Sequence, residues 1–247
     1  MISAIAGREL RSLFYSPLAW SLLAVVQLTL AWLFLIQLED FLKFQAELVK
    51  MREAPGITDL VVAPLIDSAA LLLLLITPLL SMRLISEELR NNTFGLLLSS
   101  PISMTQIVLG KYLALLAVFA VTWLLTSLMP LSLLSGGSID LGRLAAGLLG
   151  LVLVSATFAA IGLFFSCLTR QPSVAAVSSY GLLLFLWIID LPGSGDGESA
   201  NLLDWLSLST HFRRMTTGLV HSEDLIFYLL LTVAFLILSV KRLDRYR

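Results

Sequence analysis

Apolar residues in this chain form neither an alternating pattern nor a single helical stripe. They run all round the helix for about 20 residues at a time, the length a hydrocarbon core of ~30 Å demands at 1.5 Å per residue. Six such stretches fall at residues 18–38, 60–82, 106–134, 142–168, 173–191 and 223–240. They predict an all-α polytopic membrane protein, with six transmembrane helices in one domain over residues 1–247. Polar punctuation marks several ends. Ser16-Pro17 reads as an N-cap followed by a first-turn proline, Ser103-Met104-Thr105-Gln106 as a capping box, and Ser222-Glu223-Asp224 places acids where the helix dipole favours them. Pro78 falls inside the second stretch and predicts a kink whose freed backbone groups are satisfied by neighbouring helices.

The first 16 residues follow a different period. Ile2, Ile5, Ala6, Leu10, Leu13 and Phe14 recur at helical spacing, with Arg8, Glu9, Arg11 and Ser12 opposite, which predicts an amphipathic helix lying along the membrane surface. The segment lacks a small-residue cleavage site, so it is not read as a secretory leader. Residues 39–59 carry alternating charges and then Pro55-Gly56, a helical continuation of the first span and a turn. In residues 192–222, the apolar positions Trp205, Leu206, Phe212, Met215 and Leu219 predict one or two short helices at the opposite interface.

Composition confirms the class. Hydrophobic residues make up 58% and charged residues 13% of the 247, and mean hydropathy is +0.93, far from the roughly 25% charged residues of a soluble domain. Charge also sets orientation. With both termini inside, ten of the 16 basic residues lie on the inner face, and 12 of the 17 acids lie on the outer one. Both termini are therefore expected to be cytoplasmic.

On that orientation the stretch "SMRLISEELRNNTFGLLLSSP", residues 81–101, faces the cytoplasm. A helix continuing past the bilayer would set Arg83, Glu87 and Arg90 on one face, at spacings of four and three that allow pairing. Asn92 or Thr93 could then cap a short helix with Phe94, Leu97 and Leu98 on its apolar face, stopped by Pro101. Charge alone would suit a solvated hairpin, but exposed leucines call for a partner or a membrane surface.

The chemistry of common enzymes is missing from the sequence. The only Gly-Lys dipeptide, Gly110-Lys111, is followed by Tyr112 and lacks the earlier glycine of a phosphate-binding loop, so ATP-driven work would need a separate protein. The two histidines, His211 and His221, have no metal-ligand spacing and are expected at the outer surface, and no metal is expected. Glu87-Glu88 differs from glutamate-dependent intramembrane proteases, in which the arginine falls four positions after the second glutamate; here Arg90 falls two after Glu88. Cys167 is the one cysteine, so the chain has no internal disulfide and the residue reads as a packed one at the inner end of the fourth span.

Taken in order, "RELRSLFYSPLAW", "MRLISEELRNNTFGLLLSSPIS", "QIVLGKYL" and "LSLSTHFRRMTTGLVHSEDLIFY" resemble the permease subunits of ABC type-2 transporters, specifically the gliding-motility type. The resemblance covers most of the chain. It implies a non-catalytic subunit of an exporter working by alternating access in a bacterial inner membrane. Expected partners are a dimer of cytoplasmic ABC ATPases, which bind the ATP and Mg, a second permease of the same or a related chain, an accessory subunit in or outside the membrane, and the bilayer. Neither a cofactor in this chain nor a nucleic acid is expected. By similarity, Glu87, Glu88, Arg90, Thr93, Phe94, Leu96, Leu97 and Pro101 belong to the coupling helix that docks on the ATPase, and Arg8 and Arg11 to the interfacial helix.

A translocation path is only thinly marked. Asp67 is either a pathway residue or a hydrated acid at the outer end of the second span. Gly162 and the cluster Ser178-Ser179-Tyr180-Gly181 either line a path or let helices pack closely. The rival classes are a secondary transporter driven by an ion gradient, for which Asp67 is the one buried acid to hand, and a glutamate-dependent intramembrane protease.

Overall fold

The computed structural model describes residues 2–48, 56–93, 103–135, 139–189 and 205–245, and every regular element among them is helical. In chain order these are α1 (Ile2–Tyr15), α2 (Pro17–Leu48), α3 (Ala63–Ser81), α4 (Ser86–Arg90), α5 (Met104–Ser132), α6 (Leu141–Leu168), α7 (Pro172–Ile188), α8 (Leu208–Thr216) and α9 (Ser222–Asp244). A π-helical turn, Thr58–Val62, leads into α3. Five helical stretches are long and apolar enough to cross a membrane, and α7 is a shorter apolar helix of 17 residues. The expected fifth span at 173–191 is thus described only as far as residue 189.

The caps follow the chemistry of the sequence. At the start of α5, the Ser103 hydroxyl accepts from the Gln106 backbone N–H and the Gln106 side chain accepts from the Ser103 N–H, a reciprocal capping box. Pro17 opens α2 at the first helical position, and Asp140 caps α6 by accepting from Arg143 N–H. Pro78 does sit inside a continuous α3. Thr77 donates back to the Leu73 carbonyl, and the Tyr180 hydroxyl of α7 donates to the Leu75 carbonyl, so side chains support the backbone around the missing N–H.

Helix α6 is the hub. In its most apolar stretch 61% of residues are buried, against 28% in α2 and in α9, which therefore form the walls of the bundle. It packs on α3, α5, α7, α8 and α9, and small residues let it do so. A Cβ at Gly162 would collide with the Ser81 side chain of α3. Bilayer lipid offers no hydrophobic drive for helix pairing, so buried polar contacts help fix register. Thr157 meets Thr232 of α9 at 3.0 Å, Trp123 Nε1 of α5 donates to Ser155 Oγ at 3.1 Å, and the Tyr112 hydroxyl donates to the Ala156 carbonyl at 3.2 Å. Cys167 is fully buried near the inner end of α6, as its context suggests.

Candidate functional site

Polar chemistry concentrates at the end of the bundle that carries both termini, where α1, α4 and α5 meet. Beyond α3 the helix does not continue. Residues 82–85 form a turn, and helix resumes as α4 at Ser86. The Ser166 hydroxyl of α6 holds this elbow: it accepts from the N–H groups of Ile85 and Ser86 at 3.0 and 3.1 Å and donates to the Met82 carbonyl at 3.0 Å. One side chain thereby satisfies two backbone N–H groups that the break would otherwise orphan, and shares the Met82 carbonyl with the Ser86 hydroxyl. Because of the turn, Arg83, Glu87 and Arg90 do not share a continuous helical face, and no ion pair joins them among the described residues. The pairing expected from their spacing is not formed.

At its other end α4 is brought to a stop. Asn92 adopts φ 55°, a left-handed conformation that asparagine tolerates, and the Thr93 N–H returns to the Glu88 carbonyl at 3.1 Å. Thr93 thus belongs to the stop of α4. The expected helix after it, with Phe94, Leu96, Leu97 and Pro101, lies outside the described residues.

The centre of the junction is Lys111, which is 1% exposed. Its ammonium has three N–H bonds and three acceptors: Glu9 Oε1 of α1 at 2.7 Å, Glu88 Oε1 of α4 at 2.8 Å, and the Leu84 carbonyl of the elbow at 2.6 Å. Arg8 closes the cluster from the rim, 3.6 Å from both Glu9 and Glu88. Two acids and two bases balance, as a buried ionic cluster requires. The residue before the lysine completes the fit. A Cβ at Gly110 would stand 2.7 Å from Ile5 Cγ2, so only glycine lets α1 lie this close to α5.

This arrangement corrects the reading of α1. Glu9 belongs by periodicity to the polar face, yet it is 8% exposed and turned into the bundle. The reason is Lys111, which supplies the countercharge that makes burial of a carboxylate tolerable. Both Arg8 and Arg11 lie on α1, where Arg8 joins the cluster and Arg11 is exposed with no ion pair among the described residues.

The proposed path residues do not converge within the chain. Asp67 is exposed near the start of α3, where Arg213 and Thr216 of α8 act on its carboxylate. Tyr180 meets α3 at Leu75, eight residues and therefore about 12 Å of helix further on. Ser179 is buried and donates within its own helix to Ala175, and Ser178 is half-buried beside it.

A second polar cluster lies at the opposite end of the bundle and was not anticipated. His211 of α8 is buried, with Nδ1 2.5 Å from Asp224 Oδ1 of α9 and Nε2 3.0 Å from the Trp205 carbonyl. Its ring stacks on Phe227 at 4.2 Å, and Arg214 approaches Asp224 at 3.8 Å. No cluster of metal-ligating side chains occurs among the described residues. His221, by contrast, is exposed as expected.

No curated protein matches the chain. A multi-pass helical bundle with an amphipathic first helix, an elbow after its second long helix and a buried lysine joining the two agrees with the sequence profile that fits residues 3–246, that of the ABC-2 family transporter proteins, and to this family the chain belongs.

Proposed function

We propose that the chain is the permease subunit of an ATP-binding-cassette exporter of the gliding-motility type, moving a cell-envelope substrate by alternating access in a bacterial inner membrane. Separate cytoplasmic ATPases bind ATP and Mg and supply the energy, because the sequence has no phosphate-binding loop of its own. In this reading both termini and the Lys111 junction face the cytoplasm, in keeping with the basic residues gathered at that end. The subunit is non-catalytic and pairs with a second permease.

The Lys111 junction carries the proposal. A device that converts ATPase closure into movement of spans needs a rigid link between the docking segment and several helices. Here α4 leads directly into the segment Phe94–Pro101, and Lys111 ties α4 to α1 and α5 while Ser166 ties it to α6. Displacement of α4 is therefore passed to three other helices through buried hydrogen bonds. Arg90 is exposed, suited to set register on a partner, with Leu96 and Leu97 as the apolar anchor.

Affinity purification of the full chain from native membranes tests the reading. Wild type should carry a cassette ATPase that Arg90→Glu together with Leu97→Asp removes, with the variant still inserted. Absence of any ATPase from wild type, even after crosslinking, overturns it. Glu88 is unsuitable as the probe, since its loss would break the junction itself.

A further inference from the structure

Between α1, the first turn of α2 and the elbow lies a cavity of about 250 Å³. Its polar lining is Glu9, Ser12, Ser16, Arg83 and Glu87, and its floor is aliphatic, including Leu13, Leu18 and Leu80. Glu9 is already satisfied by Lys111. Arg83 and Glu87 are not: neither has an ion-pair partner among the described residues, although both face the same cavity. Among the described residues that line it, the cavity thus presents one cation and one anion not paired with each other.

Its depth is marked independently. Tyr15 and Trp20 flank Ser16 at the α1–α2 corner and are 86% and 54% exposed, with the Trp20 indole anchored on the Phe14 carbonyl at 2.6 Å. Exposed tyrosine and tryptophan beside a spanning helix mark the headgroup layer. The aliphatic floor leads from there to the sparsely buried wall formed by α2.

We propose that this cavity binds the headgroup of an ethanolamine phospholipid, with the phosphate on Arg83 and the primary ammonium on Glu87. Separated opposite charges match a zwitterion, whereas a purely anionic headgroup would meet the free Glu87 carboxylate. A quaternary choline group is recognised by aromatic faces, and no aromatic side chain is among the described residues that line the cavity. A primary ammonium instead donates charge-assisted hydrogen bonds to a carboxylate. Hydroxyls of Ser12 and Ser16 complete the polar rim. The assignment is independent of any ATPase.

Native mass spectrometry of the full chain in detergent tests it. Phosphatidylethanolamine, phosphatidylcholine and phosphatidylglycerol with identical acyl chains are supplied at equal concentration. Wild type should retain the ethanolamine lipid over the other two by about tenfold, the worth of one charge-assisted contact. Glu87→Gln should erase the preference over choline by lowering retention of the ethanolamine lipid to the choline level, and Arg83→Gln should lower retention of all three. Neither substitution removes an ion pair, and the wild-type comparison needs no variant. Equal retention of the three lipids by wild type, or a preference that survives both substitutions, overturns the proposal. Competition by equimolar glycerophosphoethanolamine, which lacks acyl chains, overturns the lipid assignment in favour of a soluble zwitterion.

Discussion

Lys111 Nζ lies 2.7 Å from Glu9 Oε1, across 102 residues of sequence. The bond joins the amphipathic first helix to the third long helix of the bundle, and the same nitrogen reaches Glu88 on the segment between them. A helix that periodicity alone would leave on the membrane surface is thus locked to the bundle by a buried charge.

Removing that charge should be severe. Lys111→Met leaves Glu9 and Glu88 with only Arg8 at 3.6 Å, and breaking a buried ionic cluster by deleting one partner costs about 3–5 kcal/mol. Thermal unfolding in detergent should show the loss. The triple change Glu9→Gln, Glu88→Gln, Lys111→Met removes all three buried charges together and should recover most of the stability. If the triple variant is no better than Lys111→Met alone, the cluster is not held by charge balance.

Gly110→Ala probes the same contact sterically. The new methyl would stand 2.7–2.8 Å from two Ile5 carbons and 3.4 Å from the Ala6 backbone nitrogen, and overpacking of this kind costs about 1–3 kcal/mol. Ile5→Ala in the same chain opens the space and should return the unfolding midpoint toward wild type. Two changes whose effects simply add would mean that α1 does not press on Gly110.

Ser166→Ala should loosen the elbow rather than the bundle. The change strips the acceptor from the Ile85 and Ser86 N–H groups, while the Met82 carbonyl keeps the Ser86 hydroxyl as its donor. Each unsatisfied buried group costs about 1–3 kcal/mol. Hydrogen–deuterium exchange should rise by tenfold or more at residues 85 and 86 and stay near wild type in the middle of α6. Unchanged exchange at the two amides would show that the turn is fixed by something else.

The long spans were legible because a bilayer imposes a length and an all-round apolar surface on every crossing helix. The Ser103 cap was legible because its chemistry is local, three residues wide. The junction was not, for two physical reasons. Helical periodicity assigns Glu9 to the polar face, and only a lysine 102 residues away reverses that assignment. Gly110-Lys111 was read against the one local motif that contains this dipeptide, whereas its meaning here is tertiary: glycine for close approach, lysine for the buried bond. The elbow at 82–85 escaped for a similar cause. Spacing of charges cannot reveal that a hydroxyl 80 residues away holds the helix broken.

The opposite end of the bundle offers the last prediction. His211 bridges two oxygens through its ring nitrogens, the Asp224 carboxylate at 2.5 Å and the Trp205 carbonyl at 3.0 Å. Asp224 is fully buried, with the Arg214 guanidinium at 3.8 Å. His211→Ala would leave the carboxylate nearly alone in a low-dielectric site and should cost about 3–5 kcal/mol. Asp224→Asn should be milder, because the amide oxygen still accepts from Nδ1. The readout is local as well as global: α8 is pinned to α9 by this pair and by the Tyr228 hydroxyl on the Leu208 carbonyl at 2.8 Å. Labelling of a cysteine placed at the buried Met215 should therefore accelerate in His211→Ala and remain slow in Asp224→Asn. Equal labelling in the two variants would show that the aromatic packing of Phe227 and Tyr228 holds α8 without the His211–Asp224 contact.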